Sequence, residues 1–175
     1  MQKLLLITDL WGLKKSNYVN SYMNELEKHY DVQLIDSCRI GKIDQRVYTE
    51  AALHRQFVEG GIDNAVQYLL DSINESIHIL GFSVGGLIGW KFALQSSNVQ
   101  RLICVSSTRL RKETEKPLAK IDLYFGEADL YNPDSTWFSK MELDAVFFSG
   151  QGHTCYKSTD STNTILDCLC TSKVG

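Results

Sequence analysis

Six short runs of nearly uninterrupted apolar residues recur along the chain, separated by longer stretches of mixed polarity. Runs this short and this continuous are typical of β-strands that are buried on both faces of a sheet. They predict strands at Leu4 to Thr8, Val32 to Ile35, Ile77 to Leu80, Leu102 to Val105, Ile121 to Phe125 and Ala145 to Phe148.

The stretches between these runs place apolar residues at helical spacing. They predict helices at Tyr18 to Tyr30, Val47 to Ile73 with a break at Gly60-Gly61, Gly85 to Gln95 and Thr162 to Cys170. Strands that alternate with helices form a mostly parallel sheet, and right-handed crossovers place helices on both of its faces. We therefore expect an α/β fold, a three-layer α/β/α sandwich with about six strands. Sites in such folds lie beyond the carboxyl ends of the strands.

The length of 175 residues suits a single domain over residues 1–175, because domains average about 150 residues. The chain carries 18 Lys and Arg against 21 Asp and Glu, for a net charge of −3. No segment concentrates positive charge, so we expect no nucleic-acid partner. The one charge-dense stretch, residues 109–116, mixes both signs, as solvated loops and helix faces do.

The lengths of the apolar runs and the absence of several short motifs disfavour other classes of protein. The apolar run Leu4 to Ile7 is shorter than the roughly seven residues of a secretory signal, and no run approaches the roughly 18 residues of a membrane span. We therefore expect a soluble, cytoplasmic protein without a membrane span. Five cysteines without C-x-x-C spacing, and no P-loop or dinucleotide fingerprint, lead us to expect no metal and no cofactor.

The strongest chemical signal is Gly81-Phe82-Ser83-Val84-Gly85, a G-x-S-x-G pattern between a predicted strand and a predicted helix. A nucleophile elbow needs this context, because its serine sits on a strained turn at the top of the sheet. A side chain at Gly81 or Gly85 is expected to clash with neighbouring backbone. The elbow also places Ser83 at a helix N-terminus, where the N–H of Val84 can face developing negative charge.

An acid and a histidine follow the serine, each just after its own strand: Asp129 in Gly126-x-x-Asp129 and His153 in Gly152-His153. In this order and context the sequence resembles the α/β-hydrolase superfamily over about residues 3 to 170. The resemblance implies a triad of Ser83 as nucleophile, His153 as general base and acid, and Asp129 as the group that orients the imidazole.

Alternatives remain for the acid and for the histidine. Glu127 and Asp134 compete with Asp129, although Asp134 also suits the cap of a helix that begins at Ser135. The remaining histidines, His29, His54 and His78, lie in predicted helices or strands and do not follow a strand.

The loop after the first strand is expected to supply a second oxyanion donor, from the N–H of Leu10 or of Trp11. Asp9 opens this loop, and we expect it to order the loop rather than to bind a metal or move a proton. Trp11 could also line a pocket.

The chain departs from larger relatives in two ways. The first strand begins near Leu4 without an antiparallel pair before it, and only 15 residues separate Val105 from Ile121, where relatives often insert a cap domain. A minimal fold without a cap is therefore expected. Residues 38–60 are long enough to cover the site in part, with Tyr48, Leu53 and Phe57 either near the site or packed on the sheet.

These observations favour a small serine hydrolase that cleaves a carboxylic ester or thioester through an acyl-enzyme on Ser83, with a small-molecule ester or acyl compound as its partner. Two alternatives stay open: an amidase or peptidase-like hydrolase with the same triad, and a binding protein that retains the fold without turnover. The sequence leaves the oligomeric state and the substrate's acyl chain undetermined.

Overall fold

The computed structural model describes residues 1–171, and its centre is a six-stranded sheet in the order β2-β1-β3-β4-β5-β6. All neighbouring strands are parallel. The strands are β1 (Lys3–Ile7), β2 (Asp31–Ile35), β3 (Ile77–Phe82), β4 (Val99–Val105), β5 (Lys120–Gly126) and β6 (Val146–Phe148). The six strands predicted from apolar runs are thus confirmed.

The helices are α1 (Val19–Leu26), α2 (Ser37–Ile40), α3 (Glu50–Gln56), α4 (Ile62–Ser72), α5 (Val84–Gln95), α6 (Ser135–Met141) and α7 (Thr159–Thr171). Short 3-10 helices occupy Gly12–Lys15, Thr108–Lys112 and Cys155–Lys157. The predicted break between α3 and α4 is confirmed: the segment Phe57–Gly61 leaves helical geometry at Gly60, where φ is 154°. The first predicted helix is shorter than expected, and α2, which the sequence did not predict, has four residues.

Two apolar cores, one on each face of the sheet, explain why the strand sequences are apolar without alternation. Side chains that point to one face, such as those of Leu5 and Ile79, pack with Trp90 and other residues of the α2 to α6 side. Those that point to the opposite face, such as those of Leu6 and Leu80, pack with α1 and α7. The three-layer α/β/α sandwich predicted from the sequence is confirmed.

The strand order locates the most open part of the carboxyl edge. The chain runs outward from β1 to β2 and then returns to pair β3 with the other side of β1. The connections therefore diverge at the carboxyl ends of β1 and β3, which is where ligands bind in sheets of this type. The connection from β4 to β5, in residues 106–119, is spanned by the 3-10 helix Thr108–Lys112, and no inserted domain covers this edge within residues 1–171.

Candidate active site

Ser83 occupies a sharp turn between the end of β3 and the start of α5, with φ 52° and ψ −117°. Such a conformation costs a non-glycine residue about 1–3 kcal/mol and persists only when its surroundings enforce it. Here the N–H of Ser83 donates to the carbonyl of Val105 at 2.7 Å, and the hydroxyl of Ser107 donates to the carbonyl of Ser83 at 2.8 Å. The end of β4 therefore holds the strained turn from both sides.

The glycines on either side of Ser83 allow backbone to crowd the turn, as the sequence predicts. A Cβ on Gly81 would lie 2.4 Å from the amide nitrogen of Gly86, and a Cβ on Gly85 would lie 2.5 Å from the carbonyl oxygens of Ile7 and Thr8. The expected clashes are confirmed. They show that the first turn of α5 is packed directly against the carboxyl end of β1.

His153 lies in the loop after β6, and its ring bridges the serine and the acid. Its Nε2 is 3.0 Å from Oγ of Ser83, and its Nδ1 is 2.7 Å from Oδ2 of Asp129. The side chain of Asp129 is 4% exposed, whereas that of His153 is 40% exposed. A carboxylate that accepts the Nδ1 proton leaves Nε2 as the acceptor for the serine hydroxyl. The structure thus brings the three predicted catalytic side chains into one hydrogen-bonded chain.

The alternative acids lie in other interactions. The carboxylate of Glu127 accepts the hydroxyl of Ser149 at 2.9 Å and the N–H of Gly150 at 3.1 Å. Asp134 caps α6, where its Oδ1 accepts the N–H of Trp137 at 2.8 Å, as the capping interpretation predicts. Among the acids considered from the sequence, Asp129 is the one that contacts His153.

The other histidines are not part of this hydrogen-bonded chain. His29 lies beside Glu25 just after α1, and His54 lies in α3. His78 lies in β3 against the ring of Tyr30 at 5.7 Å, and burial lowers its pKa, with a smaller effect from Arg101.

A direct backbone contact joins the loop that carries Asp129 to the loop that carries His153. A Cβ on Gly126 would lie 2.1 Å from the carbonyl oxygen of Gly152, and the N–H of Ala128 donates to the carbonyl of Gln151 at 2.8 Å. The motif Gly126-x-x-Asp129 therefore fits because the first glycine lets the two loops touch. The motif was predicted from the sequence, whereas the contact between the two loops was not.

The candidate oxyanion donors differ in whether their N–H groups are already engaged. The N–H of Trp11 donates to Oδ1 of Asp9 at 3.0 Å, whereas the N–H groups of Leu10 and Val84 have no hydrogen-bond acceptor within the described part of the chain. Between the two residues that the sequence left open, Leu10 is therefore the one whose N–H is available. The turn is completed by the N–H of Gly12, which donates to the carbonyl of Asp9 at 3.1 Å.

Asp9 orders this loop, in agreement with the expectation from the sequence. It is 1% exposed, and its Oδ2 accepts the hydroxyl of Tyr156 at 2.8 Å. Burial raises the pKa of Asp9, while the hydrogen bonds from Tyr156 and Trp11 and the nearby positive charge of Lys157 act in the opposite direction. The sequence left Tyr156 as either an interface or a pocket residue, and its bond to Asp9 was not predicted because the two residues are 147 positions apart.

Residues 38–60 are divided between the core and the loop that carries Trp11. Leu53 and Phe57 are buried, and Phe57 belongs to the core on the α5 face of the sheet. Tyr48 instead lies edge-on to Trp11 at 5.3 Å and donates its hydroxyl to the carbonyl of Trp11 at 2.5 Å. Of the two placements that the sequence left open, packing in the core applies to Leu53 and Phe57, whereas Tyr48 lies beside the loop of the candidate site.

A possible set of metal ligands lies far from the candidate site. Side-chain ligand atoms of Glu25, His29 and Cys170 lie within 4.8 Å of one another, where the end of α1 approaches α7. His29 lies two residues before the start of β2. These three side chains therefore lie at the amino end of the sheet, opposite to Ser83. Near this group, the carbonyl oxygen and the sulfur of Cys168 accept N–H groups of the Arg101 guanidinium.

Searches by sequence against protein-family models and against curated proteins find no match. The structure, in contrast, resembles several solved hydrolases. Alpha/beta hydrolase domain-containing protein 10 from mouse aligns with a TM-score of 0.69 and 12% identity over 97% of this chain and 88% of that one. The predicted CIB-like hydrolase from Thermoplasma acidophilum aligns with a TM-score of 0.65 and 20% identity over 96% of this chain and 86% of that one.

A third match is Est1E from Butyrivibrio proteoclasticus, solved with ferulic acid bound, with a TM-score of 0.65 and 12% identity over 97% of this chain and 86% of that one. No helix in residues 1–171 has both the length and the apolar content to cross a membrane. At identities this low, structural similarity over nearly the whole chain establishes the fold alone. The parallel six-stranded sheet with helices on both faces and these structural matches together show that the chain has the α/β-hydrolase fold.

Proposed function

We propose that the protein is a serine hydrolase that cleaves a carboxylic ester or thioester through an acyl-enzyme on Ser83. The observation that carries this proposal is the chain of two hydrogen bonds from Ser83 through His153 to Asp129. It begins at a residue that is held at positive φ, so the fold sustains strain at the point where a nucleophile would stand. The fold alone would not support this proposal, because one fold hosts many functions.

In the acylation step, Nε2 of His153 takes the proton of Ser83 as Oγ attacks the carbonyl carbon of the substrate. Negative charge then develops on the carbonyl oxygen, and the N–H groups of Val84 and Leu10 stabilise it. His153 returns the proton to the departing alcohol or thiol, and the acyl group stays on Ser83. Asp129 stabilises the imidazolium throughout without itself taking the proton.

In the deacylation step, His153 removes a proton from water, and the resulting nucleophile attacks the acyl-enzyme carbonyl. The exposed fraction of the His153 side chain, 40%, gives water access to this position. His153 then protonates Oγ of Ser83 and the carboxylic acid departs. The water oxygen therefore ends in the acid product.

The surroundings of the site favour a small acyl group, or an acyl group presented on a larger molecule. No inserted domain covers the carboxyl edge within residues 1–171, and exposed apolar side chains follow the loops that carry the site: Leu13, Leu130 and Tyr131. The ferulic acid bound to the structurally similar Est1E is a carboxylic acid, which is the type of product that cleavage of an ester, a thioester or an amide releases. The amidase alternative therefore stays open and is decided by comparing ester and anilide substrates.

The test is labelling by a fluorophosphonate, followed by intact mass spectrometry. We expect one adduct on the wild-type protein and loss of that adduct in Ser83→Ala and in His153→Ala, with circular dichroism showing that each variant is folded. Ser149→Ala is the matched control, because it removes an exposed serine hydroxyl near the same edge and should label normally. Turnover should fall by about 10⁴-fold or more in Ser83→Ala.

Two outcomes would contradict the proposal. If folded wild-type protein stays unlabelled under conditions that label a known serine hydrolase, a binding protein with this fold becomes the better account. If p-nitroanilides are cleaved as fast as the matching p-nitrophenyl esters, the preference for esters over amides is wrong and the amidase alternative replaces it.

A further inference from the structure

The carboxylate of Asp9 joins two loops that are distant in sequence and adjacent in space. One oxygen accepts the N–H of Trp11 at 3.0 Å, and the other accepts the hydroxyl of Tyr156 at 2.8 Å. The residue is 1% exposed, so water does not compete for either oxygen. Both bonds are of ordinary length, and a buried polar network whose members are all paired rigidifies the segments that it joins.

At one end, Asp9 determines which N–H of its loop is left without an acceptor. Its side chain holds the N–H of Trp11, and its carbonyl accepts the N–H of Gly12. The N–H of Leu10 lies between these bonds and has no acceptor within residues 1–171. Its direction therefore follows from the two bonds that Asp9 accepts.

Asp9 is itself held in place through its backbone. Its N–H donates to the hydroxyl oxygen of Tyr18 at 3.2 Å, and its carbonyl also accepts the hydroxyl of Ser37 at 2.5 Å. Both backbone polar groups and both carboxylate oxygens are thus engaged. A residue so fully bonded has one orientation, which it imposes on the loop that follows.

At the other end, Tyr156 belongs to the segment that carries His153. Its hydroxyl contacts Asp9, its carbonyl accepts the hydroxyl of Tyr22 at 2.9 Å, and its ring lies 5.2 Å from that of Phe82, the residue before Ser83. Burial raises the pKa of Tyr156 well above its ordinary value, so the hydroxyl keeps the proton that it donates. Tyr156 follows His153 by three residues.

We propose that Asp9 is a positioning residue, which through Trp11 and Tyr156 fixes the N–H of Leu10 relative to Ser83 and His153. This inference rests on the proposed hydrolase function and adds a residue that acts on the reaction without touching the substrate. Loss of the connection lets the Leu10 loop and the His153 loop move independently. A displacement of about 1 Å at a catalytic group costs about 100-fold in rate.

The experiment compares kcat and KM on a p-nitrophenyl ester for Asp9→Ala, Asp9→Asn and Tyr156→Phe. We expect kcat to fall by about 10- to 100-fold in Asp9→Ala and about tenfold in Tyr156→Phe, with KM nearly unchanged. Asp9→Asn should recover most of the rate with the pH profile of the wild type, because an amide can accept from Trp11 and donate to the hydroxyl of Tyr156.

Tyr30→Phe is the matched control. It removes a buried tyrosine hydroxyl that donates to the carbonyl of Leu169 at 2.9 Å, at the opposite end of the sheet. Both Tyr30→Phe and Tyr156→Phe should lower stability, because each removes a buried hydroxyl. Only Tyr156→Phe should also lower kcat.

The coupling itself is measured by amide hydrogen exchange, which does not depend on turnover. Tyr156→Phe should speed exchange in residues 9–12, and Tyr30→Phe should not. Unchanged exchange in Tyr156→Phe, unchanged kcat in Asp9→Ala, or a rate in Asp9→Asn as low as that in Asp9→Ala would each overturn the positioning role while Ser83 labelling stands. If wild-type protein is not labelled at all, the hydrolase function fails, and the catalytic role of Asp9 fails with it.

Discussion

Gly126→Ala tests the backbone contact between the loop that carries Asp129 and the loop that carries His153. The added Cβ would lie 2.1 Å from the carbonyl oxygen of Gly152 and 2.5 Å from that of Gln151. Ordinary van der Waals contact begins at 3.4 Å, so the two loops must separate by more than 1 Å. Both obstructing atoms are backbone, and no side-chain rotation relieves the overlap.

The structure sets the size of the expected effect. Overpacking of this kind costs about 3 kcal/mol when backbone has to move. For a chain of this length that corresponds to a fall in Tm of about 10 °C. Because the separation moves Asp129 away from Nδ1 of His153, we also expect the labelling rate of Ser83 to fall by about 100-fold.

The assay pairs thermal unfolding by circular dichroism with the rate of fluorophosphonate labelling at a temperature where every variant is folded. Gly152→Ala is the control, because a Cβ on Gly152 meets no atom within 4 Å. It should change stability by no more than about 1 kcal/mol. If Gly126→Ala behaves like Gly152→Ala in both measurements, the idea that this contact holds the acid against the histidine is refuted.

Three further predictions concern stability. Asp134→Ala removes the cap that accepts the N–H of Trp137, so Tm should fall by about 3 °C in a thermal melt. Arg101→Met leaves the carboxylate of Asp122 without its 2.7 Å partner and should cost about 3 kcal/mol in urea unfolding, whereas Arg101→Met combined with Asp122→Leu should recover most of the loss. Burial lowers the pKa of His78 below its ordinary value of 6.5, so the unfolded chain takes up the proton more readily than the folded one. The free energy of unfolding should therefore decrease as pH falls below 6.5 toward the folded-state pKa, and His78→Gln should remove that part of the pH dependence in urea unfolding at a series of pH values.

Local patterns in the sequence were enough to predict the sheet and the elements that carry the site. Each strand is apolar over its whole length because both faces are covered, and that pattern needs no knowledge of distant partners. The elbow around Ser83 was predictable for a similar reason, since its two glycines are required by contacts within a few residues and by the adjacent strand. Asp129 and His153 each come shortly after a strand, and this position predicted the acid and the histidine that the structure places beside Ser83.

Contacts between segments that are far apart in the sequence could not be predicted from it. The hydroxyl of Tyr156 reaches Asp9 across 147 positions, and no periodicity marks such a pair. The choice between Leu10 and Trp11 depended on a short-range interaction, the bond from Trp11 to Asp9, which the preference of Asp for such turns could have indicated. Helix α6 was foreseen only through its cap, because seven residues give too short a pattern.

The histidine is attached to the least protected strand of the sheet. β6 has three residues, pairs within residues 1–171 with β5 alone, and leaves Val146 and Phe147 nearly half exposed. The serine instead follows β3, which lies between β1 and β4. Segments with few buried contacts open locally at a lower free energy than the whole molecule unfolds. Fraying of the sheet edge would then withdraw His153 while Ser83 stays in place, so that on warming the proposed hydrolase activity would be lost reversibly before the core melts.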